Sequence, residues 1–142
     1  MKTCRAFLRL VLTLTFVVSL IGCGSKLPFD AAQVTGTVTF RGKPLEHGEI
    51  VFLPMEGTPG PQAVGTIQAD GTFEMRSGNL PGVALGTHRV TVHCRGELPP
   101  EQATSLALPQ SLIPEKYGVA ETSPLIYEVK NGEKHVYNID LQ

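Results

Sequence analysis

The chain has 142 residues, a formal net charge of −1, 42% hydrophobic and 18% charged residues, and no Trp. Its Lys and Arg residues are scattered, which excludes a nucleic-acid binder, because that affinity needs clustered positive charge. Once a leader of 22 residues is set aside, about 120 remain, enough for one domain that buries about two-thirds of its unfolded surface.

The first element is that leader. Lys2, Arg5 and Arg9 precede an apolar run over residues 10–21, and Leu20-Ile21-Gly22-Cys23 closes it. A basic start, a short apolar run and a small residue at its end read as a secretory signal. The run is 12 residues long, and a membrane-crossing helix needs about 20. The four closing residues resemble the bacterial lipobox. The resemblance implies removal of residues 1–22 and acylation of Cys23, whose palmitate-type chains would hold the protein on a membrane, since several chains anchor stably where one does not. Gly24 follows Cys23, and in that family inner-membrane retention usually needs Asp there, so the expected address is the cell envelope at the outer membrane. Without Lys2, Arg5 and Arg9 the mature part is near −4. Of Cys4, Cys23 and Cys94, only Cys94 stays in the folded part, so no internal disulfide is expected.

Residues 23–32 carry no periodic pattern and read as a lipidated tether, followed by one domain over 33–142. From Gln33 onward the chain alternates. Val34, Gly36, Val38 and Phe40 interleave with Thr35, Thr37, Thr39 and Arg41, a period of two rich in β-branched residues that marks a half-buried strand. Gly42-Lys43-Pro44-Leu45 turns the chain. A second strand is expected over 49–53, stopped by Pro54, and 56–62 is a Gly- and Pro-rich loop. Strands over 63–68 and 72–76 flank Asp70-Gly71, a type I′ hairpin signal, with Phe73 and Met75 facing inward. Residues 77–86 form a loop. Strand 87–94 puts His88, Val90, Val92 and Cys94 on one face. Residues 95–117 contain four prolines and break the rhythm, with one or two helical turns expected over 101–108. Strands over 124–130 and 134–141 flank Asn131-Gly132, a second type I′ signal. His135, Tyr137, Ile139 and Leu141 share one face of the last strand. About seven strands and no long helix indicate an all-β sandwich.

Four pieces, in order, resemble the carboxypeptidase regulatory-like domain: Val34–Val38 leading into Gly42–Leu45 and Ile50-Val51-Phe52; Ala69–Phe73; Gly86–Val92; and Ile113–Tyr117 with Thr122-Ser123 and Leu125. The resemblance covers roughly 33–141 and extends to small bacterial lipoproteins built on that domain alone. It implies a seven-stranded, transthyretin-like (prealbumin-like, Greek-key) β-sandwich, used in that family as a structural or interaction module without chemistry of its own. An enzymatic relative of the fold, 5-hydroxyisourate hydrolase, ends in Tyr-Arg-Gly-Ser. This chain ends Tyr137-Asn138-Ile139-Asp140-Leu141-Gln142, so no catalytic residue is carried over.

The remaining candidates read as structural. His47, His88, His93 and His135 lack metal-ligand spacing, and His88 and His93 fall on opposite faces of one strand. His88 and His135 are expected to be inward-facing and bonded to backbone, and Cys94 to be a core residue with no base beside it. Glu46, Asp70, Glu74 and Asp140 do not have the spacing of a calcium loop, and Asp70 is a turn former. Tyr117 is expected to pin the long loop back onto the sandwich. The sequence thus predicts a non-enzymatic, lipid-anchored envelope protein with a structural, adhesive or protein-interaction role. No cofactor or metal is expected, and the lipobox resemblance implies Cys23 as the lipidation site. The alternative is a carbohydrate- or peptide-binding module using loops 95–117 and 56–62. The expected partners are the membrane, through the anchor, and an envelope protein or glycan.

Overall fold

A computed structural model describes residues 28–97 and 108–142. The signal, Cys23, residues 23–27 of the tether and residues 98–107, with most of the expected helical turns, lie outside the described residues.

About half of the described chain lies in strands, and none of it in an α-helix. In order it forms β1 (Ala31–Ala32), β2 (Val34–Phe40), β3 (Lys43–Pro44), β4 (Gly48–Pro54), β5 (Ala63–Ile67), β6 (Thr72–Glu74), β7 (Arg76–Ser77), β8 (Leu80–Pro81), β9 (Val83–Ala84), β10 (Gly86–His93), β11 (Ile126–Val129) and β12 (His135–Leu141), with a single 3-10 turn at Glu115–Tyr117 before β11. Each of the seven expected runs contains one strand of at least three residues. The other five are two-residue pairings, four in stretches read as turn, loop or tether and one, β7, at the junction of the strand expected over 72–76 with the following loop. Two residues per strand are too few for a period of two to show.

Two main sheets result. One is antiparallel, ordered β11-β10-β4-β5-β7-β8. The other centres on β2, which pairs in parallel with β12 and antiparallel with β3 and β6. Each turns an apolar face inward. Val34, Val38, Phe73, Ile139 and Leu141 from the β2 sheet join Ile50, Phe52, Ala63, Ile67, Val90 and Val92 from the other in one buried cluster. Burying each of the larger side chains contributes about 1.5–3 kcal/mol, and with no disulfide among the described residues this core carries the fold. β2 and β12 approach closely at Gly36, where a Cβ would overlap the Tyr137 carbonyl oxygen and lie 2.9 Å from Phe73 Cζ.

Three turns depart from expectation. Arg41 and Gly42 both take positive φ, 52° and 76°, between the paired residues Phe40 and Lys43. This is the type I′ pattern, one residue upstream of the turn read from the sequence. At Asp70-Gly71 only Gly71 has positive φ. Gly71 N–H donates to Gln68 O and Gln68 N–H to Thr72 O, both at 2.8 Å, which is a type I turn closed by a glycine bulge rather than type I′. Beyond it the expected partner strand divides. β6 pairs with β2, while β7 returns to β5 through Val64 and Arg76. The break at Met75 lets Phe73 and Met75 both reach the core while the chain changes sheets. Asn131-Gly132 does not close a hairpin at all. β11 lies beside β10 in one sheet and β12 beside β2 in the other, so this turn carries the chain across the core.

The tether also contributes structure. Ala31 and Ala32 pair with Ala84 and Val83, and Leu85 N–H donates to Asp30 O at 3.0 Å.

Candidate functional site

The most developed concavity forms where β10 outruns β4. Cys94, Arg95 and Gly96 continue the strand and acquire a new neighbour. Leu112 N–H donates to Cys94 O and Gly96 N–H to Gln110 O, each at 2.9 Å, and Arg95 bridges Ser111. The chain then turns through Pro114 and Glu115–Tyr117, with Tyr117 N–H on Pro114 O. Ile113 and Tyr117 are buried and hold this turn to the body. The Tyr117 hydroxyl accepts from Gln142 N–H at 3.1 Å and lies 3.4 Å from Gln142 O, so Tyr117 pins the segment to the end of β12, as the sequence reading expected. Buried Ser123 secures the far side by donating to Val90 O, and Arg89 donates to Ser123 O at 3.0 Å.

Between these walls runs a groove of about 860 Å³, lined by residues 92–95, 108–111, 113–115, 118 and 119. Its volume is within the usual range for ligand sites. Leu108, Leu112 and Val119 on this segment are 79%, 49% and 45% exposed, and they are three of the five exposed large apolar side chains among the described residues. His93, Arg95, Ser111 and Glu115 supply polar groups. Among the described residues the lining contains no Phe, Tyr or Trp, the platforms that sugar rings stack on.

Cys94 is only 2% exposed, and burial raises its thiol above the usual range, so it stays protonated and poorly nucleophilic. The sequence places no base beside it. The fold places His47 Nε2 3.6 Å from Cys94 Sγ. That nitrogen is already 3.0 Å from Arg95 O. A carbonyl only accepts, so Nε2 carries the proton and cannot take one from the thiol. The 47-residue separation hid this neighbour. The signal was the β4–β10 register, in which Glu49 faces His93, so two residues further along His47 meets Arg95.

His88 and His135 lie inside, as expected. His88 Nδ1 is 3.2 Å from Gly86 O, and Nε2 is buried without a partner among the described residues. Burial lowers its pKa, and the bond to Gly86 O only partly opposes that. His135 uses both nitrogens, with Tyr127 Oη 3.1 Å from Nδ1 and Lys130 O 3.0 Å from Nε2. Tyr127 stacks on Tyr137 with centroids 4.3 Å apart, and Phe52 meets both rings edge-on. This seam of rings joins β11 to β12 across the core. Burial raises the Tyr137 pKa, with Tyr127 adding to the shift. His93 faces the other way, half-buried near Gly118. Among the described residues no group of three His, Cys, Asp or Glu is placed to hold a metal ion. Asp70 closes its own turn, accepting from Thr72 N–H at 3.0 Å and Oγ1 at 2.7 Å, and these bonds lower its pKa.

Among the described residues, loop 56–62 does not meet the segments of loop 95–117. Loop 56–62 follows the end of β4 and is tied to the start of β10, where the Thr58 hydroxyl donates to Thr87 O at 2.9 Å. β4 and β10 are antiparallel, with Pro54 opposite His88 and Glu49 opposite His93. Loop 56–62 therefore occupies one end of the sheet and the groove the other. The tether joins the body at the first of these ends, on β9, where Phe29 lies beside Gly60.

No protein-family model matches the chain, and no curated protein does. A solved structure with which it aligns is the 9R-lipoxygenase from Cyanothece PCC8801, at 14% identity and a TM-score of 0.36. The alignment covers 94% of this chain and 20% of that one, and a likeness of that degree carries no argument here.

Proposed function

We propose that this is a lipid-anchored protein of the cell envelope, exported and acylated at Cys23 and held at the outer membrane. Its body is a transthyretin-like, seven-stranded sandwich of the carboxypeptidase regulatory-like kind, working as a non-enzymatic interaction module. The observation that carries the reading is the groove, whose segment exposes Leu108, Leu112 and Val119 while the nearby thiol of Cys94 is buried and protonated. Exposed apolar side chains around a preformed concavity mark contact surfaces. A lining without Phe, Tyr or Trp among the described residues favours a protein or peptide partner over a glycan.

Two experiments test the reading. Radiolabelled palmitate should enter the wild-type protein and not Cys23→Ala, and equal labelling or none removes the anchor. A photo-crosslinking residue at position 119, on the groove lining, should capture an envelope protein that the same residue at position 62 does not, and adducts equal at both positions remove the groove as the contact surface.

A further inference from the structure

We infer that the protein stands on its membrane with the β1–β9 end against the lipid headgroups and the groove turned outward. This rests on the anchoring proposed above and specifies the surface the lipid meets. Three observations lead to it.

The first is polarity. The chain joins the body at Ala31 and Ala32, on Val83 and Ala84. The groove begins at the far end of β10, an eight-residue strand that spans about 26 Å at about 3.3 Å per residue. The second is reach. Cys23 and Asp30 are seven residues apart, at most about 25 Å even if fully extended, so the β1–β9 end cannot travel far from an acylated Cys23. The third is surface chemistry. At that end, residues 57–62 and 77–85 carry no charge. They present Pro59, Pro61 and Pro81 to solvent, with Phe29 and Leu80 half-buried. The groove end exposes Arg41, Lys43, Asp70, Arg95, Glu115 and Lys116.

Seating the charged end in the headgroup–acyl boundary would strip water from ions, whereas the uncharged loops lose little there. Asp30, Glu56 and Arg76 flank these loops, with Arg76 donating to Asn79 O at 2.6 Å, and the turn over 130–134 adds Lys130, Glu133 and Lys134, all exposed. The two lysines can extend to lipid phosphates while keeping their charge in water. The occupant of this end is therefore the headgroup layer of the protein's own membrane.

The absence of Trp from the chain makes a direct test simple. Single tryptophans are placed at two exposed positions, Asn79→Trp at the β1–β9 end and Lys43→Trp at the groove end, in the acylated full chain on vesicles containing a dansyl-headgroup lipid. Energy transfer to dansyl should be several-fold stronger from Asn79→Trp, and should vanish for both in the unacylated Cys23→Ser background. Equal transfer, or stronger transfer from Lys43→Trp, overturns the orientation while leaving the anchor intact. Protein that stays in the supernatant when the vesicles are sedimented overturns both.

Discussion

Lowering the pH from 7.5 to 5.5 should weaken the fold through His88, and His88→Leu should remove that part of the loss. The His88 side chain is fully buried, 5.8 Å from the Phe52 ring centroid, with Nε2 unpartnered among the described residues. In the unfolded chain its imidazole titrates near 6.5, and burial depresses the folded value below that. The folded state thus binds fewer protons in this range. Nothing is lost above the unfolded pKa. Below it the unfolded state gains protons first, and stability falls until the pH reaches the folded pKa. One proton over this interval amounts to at most about 1.4 kcal/mol. At pH 7.5 His88→Leu should change stability by less than about 1 kcal/mol, because removing a buried unpaired polar atom offsets the lost bond to Gly86 O. Urea unfolding followed by circular dichroism at both pH values measures the difference. Every other ionisable group is common to both proteins, so the gap between the two acid losses isolates His88. Equal losses would refute the reasoning.

Gly36→Ala should destabilise by about 3 kcal/mol or more, because the new methyl meets a main-chain carbonyl of β12 that no rotamer change can move; an unfolding midpoint within error of wild type would contradict the close approach. Tyr117→Phe should cost about 1 kcal/mol by removing the hydroxyl that Gln142 N–H bonds, and amide exchange at Gln142 should quicken; unchanged exchange would mean that the loop is held by packing alone. Native Cys94 should react far more slowly with a thiol reagent than the same thiol in urea, because reagent reaches it only through opening; comparable rates would show the thiol to be accessible.

Strand identity and facing were readable because alternation is local. Val34 and Val38, Phe73 and Met75, His88, Val90, Val92 and Cys94, and His135, Ile139 and Leu141 are buried as their period of two required, while Thr91 is buried on the opposite face of its strand. The pinning role of Tyr117 was also anticipated. What could not be read was membership. Ala69–Phe73 and Asn131-Gly132 carry turn residues with hairpin chemistry, yet β6 leaves β5 for β2 and β12 leaves β11 for the parallel edge of β2. Turn residues set how sharply a chain reverses, while the sheet a strand joins depends on which arrangement buries its inward face against the rest of the core. The same limit applied to the candidate site. His47 and Cys94 become neighbours only through the β4–β10 register, and loop 56–62 and the groove segment were separated by antiparallel pairing that neither segment encodes. The sequence alone determined which residues face inward, since that follows from neighbours two apart; the tertiary structure decided which strands lie side by side and at which end each loop emerges, since those follow from contacts made across most of the chain.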